Sequence, residues 1–293
     1  MAFTLLGAAG QTARNAMQRG LTPALGPLGA TLVRFLFGFP FALLFLLILM
    51  AATGGALPAP NGAFAGWTLL GALTQIAATT LMLMTMEQRS FVVTIAYLKT
   101  EPLLVALMGL VFLRDPLTLA MAAAILIAMA GVALISVKAD ALTGGLKPAI
   151  LGLSSAALFA ASAIGYRGAI LALDAPGFLL PATFSLVAGL ALQTALLLAW
   201  LLAARRETLH AILKLWRPSL AAGFAGAAAS QFWFLAFALA SAASVRTLAL
   251  VEVLFAQGVS RFVFRQKTSS REAAGIILLL AGAVLIVWAN PKP

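Results

Sequence analysis

The sequence predicts an all-α integral membrane protein of ten transmembrane helices, arranged as two inverted five-helix repeats. Three observations predict it. Apolar segments of spanning length follow one another with only short gaps. Charged residues make up 9% of the chain against 63% hydrophobic, where a soluble domain carries about 25% charged; so apolar a surface is stable against lipid, and there the backbone must satisfy itself in helices. Finally, the second half of the sequence repeats the first.

The apolar segments run over approximately 2–19, 27–52, 64–86, 90–113, 117–137, 148–172, 178–204, 218–240, 243–264 and 271–289. The first is the least apolar, because Gln11, Thr12, Arg14, Asn15 and Gln18 crowd its second half. Gly and Pro mark the gaps at Thr22-Pro23, Gly54-Gly55, Pro58 to Pro60, Gly144-Gly145 and Asp174 to Gly177. No soluble domain fits between the spans. No cleavable leader is expected, since the first apolar stretch lacks a charged start. Runs of small residues, such as Ala122 to Ala124 and Ala227 to Ala229, are packing surfaces in a lipid solvent and carry no chemistry.

The self-match aligns 96–137 with 247–288 at an offset of 151 residues and without a gap. Glu101 falls on Glu252, Arg114 on Arg265 and Gly131 on Gly282. The register extends back to Thr79 over Ser230 and Ser90 over Ser241, and Arg14 and Arg167 hold similar places near the ends of spans one and six. The repeats are therefore 1–140 and 148–290, within one membrane domain. An odd number of helices per repeat inverts the second half, the plan of secondary transporters with a substrate site near the midplane.

The net charge of +11 resides mostly in the gaps. It reads as orientation signal and headgroup contact, and nucleic acid is excluded as a partner. The gaps after odd-numbered spans hold Arg19, Arg89, Lys138, Lys147, Arg205, Arg206, Lys214, Arg217, Arg265, Lys267 and Arg271. The other face holds mainly Arg114, Lys292 and Arg246. The bias places the odd gaps in the cytoplasm and both termini outside. There is no cysteine, and the single histidine, His210, lies in a polar stretch. Thiol chemistry is excluded, and neither a metal nor another cofactor is expected.

The candidate site follows from ionisable residues inside spans, which are costly in lipid and usually face a cavity or a partner. Lys99 and Glu101 lie in span four, and Glu252 lies in the equivalent span nine. One reading is a substrate site in which Lys99 meets a carboxylate while Glu101 or Glu252 binds an amine or carries a proton. The other is a Lys-Glu ion pair holding the halves together. Pro102 either frees a carbonyl for a ligand or only kinks the helix. Gln11, Asn15 and Gln18 make one polar helical face, read as a cavity wall or as an interface stripe. Tyr97, Tyr166, Thr79, Gln231 and Trp233 supply aromatic, hydroxyl and amide groups suited to an amino-acid side chain. Trp67, Trp200, Trp216 and Trp288 read as interfacial belts.

In these features the chain resembles the drug/metabolite transporter superfamily, in its ten-helix EamA-type branch. The resemblance rests on the ten segments in two halves, on Lys99-Thr100-Glu101-Pro102-Leu103-Leu104 leading to Leu113-Arg114-Asp115-Pro116-Leu117-Thr118, on Leu250-Val251-Glu252-Val253-Leu254-Phe255, and on Ala130-Gly131-Val132 with Ala281-Gly282-Ala283-Val284. Family members usually carry Gly-Glu where this chain has Arg114-Asp115 and Arg265-Gln266, and proline where it has Val253. The resemblance implies a multi-pass protein of the bacterial inner membrane that exports amino acids, aromatic or apolar ones included, or other metabolites. It also implies cytoplasmic termini, against the charge bias. Expected partners are a small-molecule substrate, the lipid bilayer and, if transport is coupled through a glutamate, protons; facilitated diffusion stays open. One chain supplies both halves, so a monomer suffices. A multidrug exporter is the variant reading. An intramembrane enzyme is the alternative of another class, but it would need paired acids, a Ser-His arrangement or a histidine cluster that the sequence lacks. The chain is read as no enzyme.

Overall fold

The computed structural model describes residues 1–89, 91–136, 146–253 and 270–289. Among them every regular element is helical. The helices are α1 (Ala2–Leu36), α2 (Phe39–Thr53), α3 (Gly62–Gln88), α4 (Phe91–Leu98), α5 (Glu101–Met108) with the π-helical turn Gly109–Leu113, and α6 (Leu119–Ser136). There follow α7 (Leu146–Leu171), α8 (Leu179–Ala204), α9 (Arg206–Lys214), α10 (Trp216–Leu239), α11 (Ala242–Ala249) and α12 (Ser270–Ala289). Six helical stretches are long and apolar enough to cross a membrane: Ala2–Thr53, Gly62–Gln88, Val93–Leu113, Leu146–Leu171, Leu179–Ala204 and Trp216–Leu239. Leu119–Leu134 and Ala273–Ala289 are shorter apolar helices. The chain is a multi-pass helical membrane protein. Its outward apolar side chains, such as Leu43, Leu44, Leu47 and Ile48 on α2, face the solvent that suits them.

Three boundaries differ from the sequence reading. The gap expected at Thr22-Pro23 lies inside α1, and the chain turns instead at Gly26, whose φ of 67° only glycine adopts without strain. The Gln18 amide donates to the Ala30 carbonyl at 3.0 Å. Twelve residues of straight helix would hold these groups about 18 Å apart, so α1 doubles back on itself. The polar stretch around His210 forms the helix α9, with Ile212 buried and Leu213 exposed. Span four is broken rather than continuous. The second part of the ninth predicted segment, 254–264, the gap at Gly144-Gly145, and Lys138, Asp140, Arg265, Lys267 and Lys292 lie outside the described residues.

Small residues set the packing. α1 lies along α10, and α3 lies along α7. α6 and α12 cross with their backbones in contact: a Cβ on Gly131 would lie 2.5 Å from the Leu279 amide nitrogen, and one on Gly282 would lie 2.6 Å from that of Ala128. These contacts are reciprocal, because Gly131 and Ala128 align with Gly282 and Leu279 at the offset of the self-match. A crossing in which each partner meets the other's equivalent residue is the contact a two-fold axis produces.

Candidate functional site

The site is built where two helices stop and restart. α4 ends at Leu98, and Lys99 and Thr100 form a turn before α5 begins at Glu101. The Thr100 amide and hydroxyl both bond the Tyr97 carbonyl, at 3.2 and 2.9 Å. α11 ends at Ala249, and Leu250 and Val251 form a turn before Glu252, where helix resumes. Here the Leu250 and Val251 amides bond carbonyls three residues back, at 3.1 Å each. The two breaks fall on equivalent positions of the self-match. Pro102 therefore does not cause the break by itself, since Val253 replaces it in the second half and the helix still opens. Each break is followed directly by a glutamate, and Glu101 opens α5, where the helix dipole favours negative charge.

Each glutamate is then paired with a base from the other half. Lys99 Nζ forms an ion pair with Glu252 Oε1. Arg246 Nε lies 2.9 Å from Glu101 Oε1. Arg246 stands on α11 one turn before the break. Its guanidinium lies over the Trp233 ring at 4.3 Å and near Phe237 at 5.3 Å. The orientation argument counted Arg246 with the loop charges. The structure corrects this, for Arg246 is 8% exposed within the core.

Two narrow cavities adjoin the pairs. One is lined by Gln11, Lys99, Glu101, Pro102, Arg246 and Glu252, among others. The second is lined by Gln11, Arg14, Arg34, Gln75, Ser162, Tyr166, Ser230, Trp233 and Arg246, with Phe159, Phe234 and Phe237. Gln11 and Arg246 form the shared wall. The free space is about 30 Å³ in the first and about 10 Å³ in the second, room for a water molecule or two. The described conformation is thus contracted around its own charges.

Of the residues proposed from sequence, Lys99, Glu101, Glu252 and Gln11 meet in the first cavity, and Gln11, Tyr166 and Trp233 meet in the second. Thr79 sits behind the second, where its hydroxyl accepts from Arg34 at 3.2 Å. Asn15 accepts twice from Arg14, at 3.2 and 2.7 Å. Thr79 and Asn15 line neither cavity, and nor do two more. Gln231 donates to Thr183 at 2.8 Å, and Tyr97 packs its ring on α7, where a Cβ on Gly152 would meet it at 2.6 Å. Gln18 belongs to the turn of α1, so the polar face of span one splits between cavity wall and turn.

The sequence reading missed Arg34. It lies well inside the predicted segment 27–52 and is 2% exposed, and an arginine within an apolar segment was signal enough. Its guanidinium donates to Thr79 and, at 3.4 Å, to Ser230. A different, partly buried pair contributes no lining to either cavity. Asp115 accepts from Arg167 at 3.2 and 3.1 Å, and Arg167 also donates to the carbonyls of Phe237 and Ala240 at 2.6 and 2.5 Å. Arg114 precedes Asp115 with φ 54°, the left-handed conformation that explains why glycine is usual there in the family the sequence resembles.

With this geometry in view, the comparisons bear on fold and family. No curated protein matches the chain. Among solved structures 26 chains match. One, described only as the crystal structure of a protein, aligns over 98% of both chains with a TM-score of 0.65 and 16% identity, a likeness of fold alone. Residues 3–137, the stretch that carries α1 to α6, match the sequence model of the EamA-like transporter family.

Proposed function

We propose that the chain is a secondary transporter that moves small metabolites, amino acids first among them, across the bacterial inner membrane by alternating access. In this reading the chain makes ten spans as two inverted repeats, 1–140 and 148–290. The single observation that carries it is the pair of helix breaks at Lys99-Thr100 and Leu250-Val251, each presenting a glutamate to a base of the opposite half. Discontinuous helices at a repeat interface are the usual seat of a transporter's substrate. The reciprocal contacts of Gly131 and Gly282 support the two-fold relation, and the family match over 3–137 coincides with the first proposed repeat. The ion pairs fasten the halves in the contracted state, and a substrate releases them by offering its own charges.

The test is counterflow in proteoliposomes loaded with unlabelled solute, using a panel of labelled amino acids and other metabolites. Saturable exchange of some member is expected, falling at least tenfold in Lys99→Ala and in Glu252→Gln. A pH gradient that drives uptake in wild type but not in Glu252→Gln would assign proton coupling. A folded wild-type protein that exchanges no solute would remove the transport reading.

A further inference from the structure

The charges around the cavities do not balance. Four basic side chains gather there, Arg14, Arg34, Lys99 and Arg246. Among the described residues only two carboxylates face them, Glu101 and Glu252, and each already has a base. The chain has eight acids in all, so the remainder are easily placed. Asp115 serves Arg167; Glu87, Asp174 and Glu207 are exposed; in the sequence Asp140 falls in the gap after the fifth predicted segment and Glu272 at the start of the tenth. Among the described residues neither Arg14 nor Arg34 forms a direct ion pair with a carboxylate, although both are 2% exposed. Their partners are neutral: Asn15 for one, Thr79 and Ser230 for the other.

An unpaired buried cation is costly, and a fold that needed only a filler would use an apolar side chain. The two arginines also stand together. Both side-chain stems cross the bare face of Gly226 on α10, where a Cβ would lie 3.1 Å from Arg34 Cγ and 3.5 Å from Arg14 Cδ. Donors without acceptors converge on the same cavity. Arg34 Nε and Trp233 Nε1 are buried with no hydrogen-bond partner, and the Tyr166 hydroxyl is likewise unpartnered. A pocket with surplus positive charge and surplus donors asks for an acceptor that is negative.

We propose that the substrate is a small organic anion whose carboxylate or phosphate head is held between Arg14 and Arg34. This rests on the transport reading above and narrows its substrate class. Two guanidinium forks match an oxyanion's geometry, with Trp233 and Tyr166 as further donors. An acidic amino acid satisfies both ends of the site, its side-chain carboxylate at the arginines and its amine at Glu252 in place of Lys99. By the same count a neutral amino acid leaves two positive charges unanswered where an acidic one leaves one, and cations are repelled.

The experiment has a transport arm and a binding arm on the full chain. Counterflow compares aspartate, succinate and glycerol 3-phosphate with leucine, phenylalanine and a quaternary ammonium cation. Ligand-dependent shifts of the unfolding midpoint in detergent are measured with the same compounds. Anions are expected to exchange at least tenfold faster than neutral solutes and to be the ones that raise the midpoint. In Arg34→Gln the anion effects vanish, while the unliganded midpoint stays equal to wild type or rises, because a buried unpaired charge has been removed. Arg34→Lys restores part of the exchange. Succinate without glycerol 3-phosphate would assign a carboxylate head, and the reverse a phosphate head. Exchange of leucine or phenylalanine with no response to anions would overturn the anion inference and leave transport standing. No exchange of any compound, with a midpoint raised by anions and only in wild type, would overturn transport and keep the anion site. A lower unliganded midpoint in Arg34→Gln together with unchanged anion exchange would show Arg34 to be structural and overturn the inference.

Discussion

Arg14 and Arg167 hold similar places near the ends of the first and sixth predicted spans, yet they live in different surroundings. Arg167 meets Asp115 through two nitrogens and caps the Phe237 and Ala240 carbonyls. Arg14 has one neutral acceptor, the neighbouring Asn15. The two halves thus share their packing, through Gly131 and Gly282, and their helix breaks, but they differ in what their charges face. A repeated sequence inherits its backbone contacts, while each copy's side chains are free to diverge. A fully partnered arginine reads as structure and an unpartnered one as function.

The largest expected effect breaks that comparison directly. Arg167→Gln strands Asp115 and two carbonyls in the core, and it is expected to lower stability by about 3 kcal/mol or more. Arg14→Gln is expected to stay within about 1 kcal/mol of wild type. Denaturant or thermal unfolding in detergent measures both, and equal losses would erase the distinction. A smaller effect tests the shared packing. Gly282→Val places two methyl groups against the backbone of α6 and is expected to lose about 1–3 kcal/mol. Gly131→Val should lose a similar amount, since the contact is reciprocal; an undisturbed variant would argue against the close crossing. The smallest effect sharpens the Asp115 side. Arg114 holds φ 54°, and Arg114→Gly is expected to gain up to about 1 kcal/mol by releasing that strain. The same unfolding measurement decides it, and a loss instead would mean that the Arg114 side chain itself is needed.

Much of this was legible in the sequence. Apart from the breaks at Lys99-Thr100 and Leu250-Val251, helices cover most of the apolar segments among the described residues, because lipid leaves the backbone little choice. Lys99, Glu101 and Glu252 stood out because charge inside an apolar run is costly. Three things were not legible. Thr22-Pro23 looked like a gap, but Pro23 lies within the last helical turn before the reversal, which needed the positive φ of Gly26. Arg246 lay near the start of a segment and passed for a loop charge, since depth in a bundle is a three-dimensional quantity. The pairing of Glu101 with Arg246, rather than with its own neighbour Lys99, depends on the turn at Lys99-Thr100, which rotates the lysine toward the other half.

The contracted cavities have a consequence for the cell that houses them. With about 10 and 30 Å³ of free space, the two cavities beside these charges have room for little more than single water molecules. A membrane potential does work of about 2.3 kcal/mol on each charge per 100 mV, so a leaky resting carrier would drain it. In the transport reading proposed above, the pairs of Lys99 with Glu252 and Arg246 with Glu101 keep this centre closed to ions until a solute replaces them.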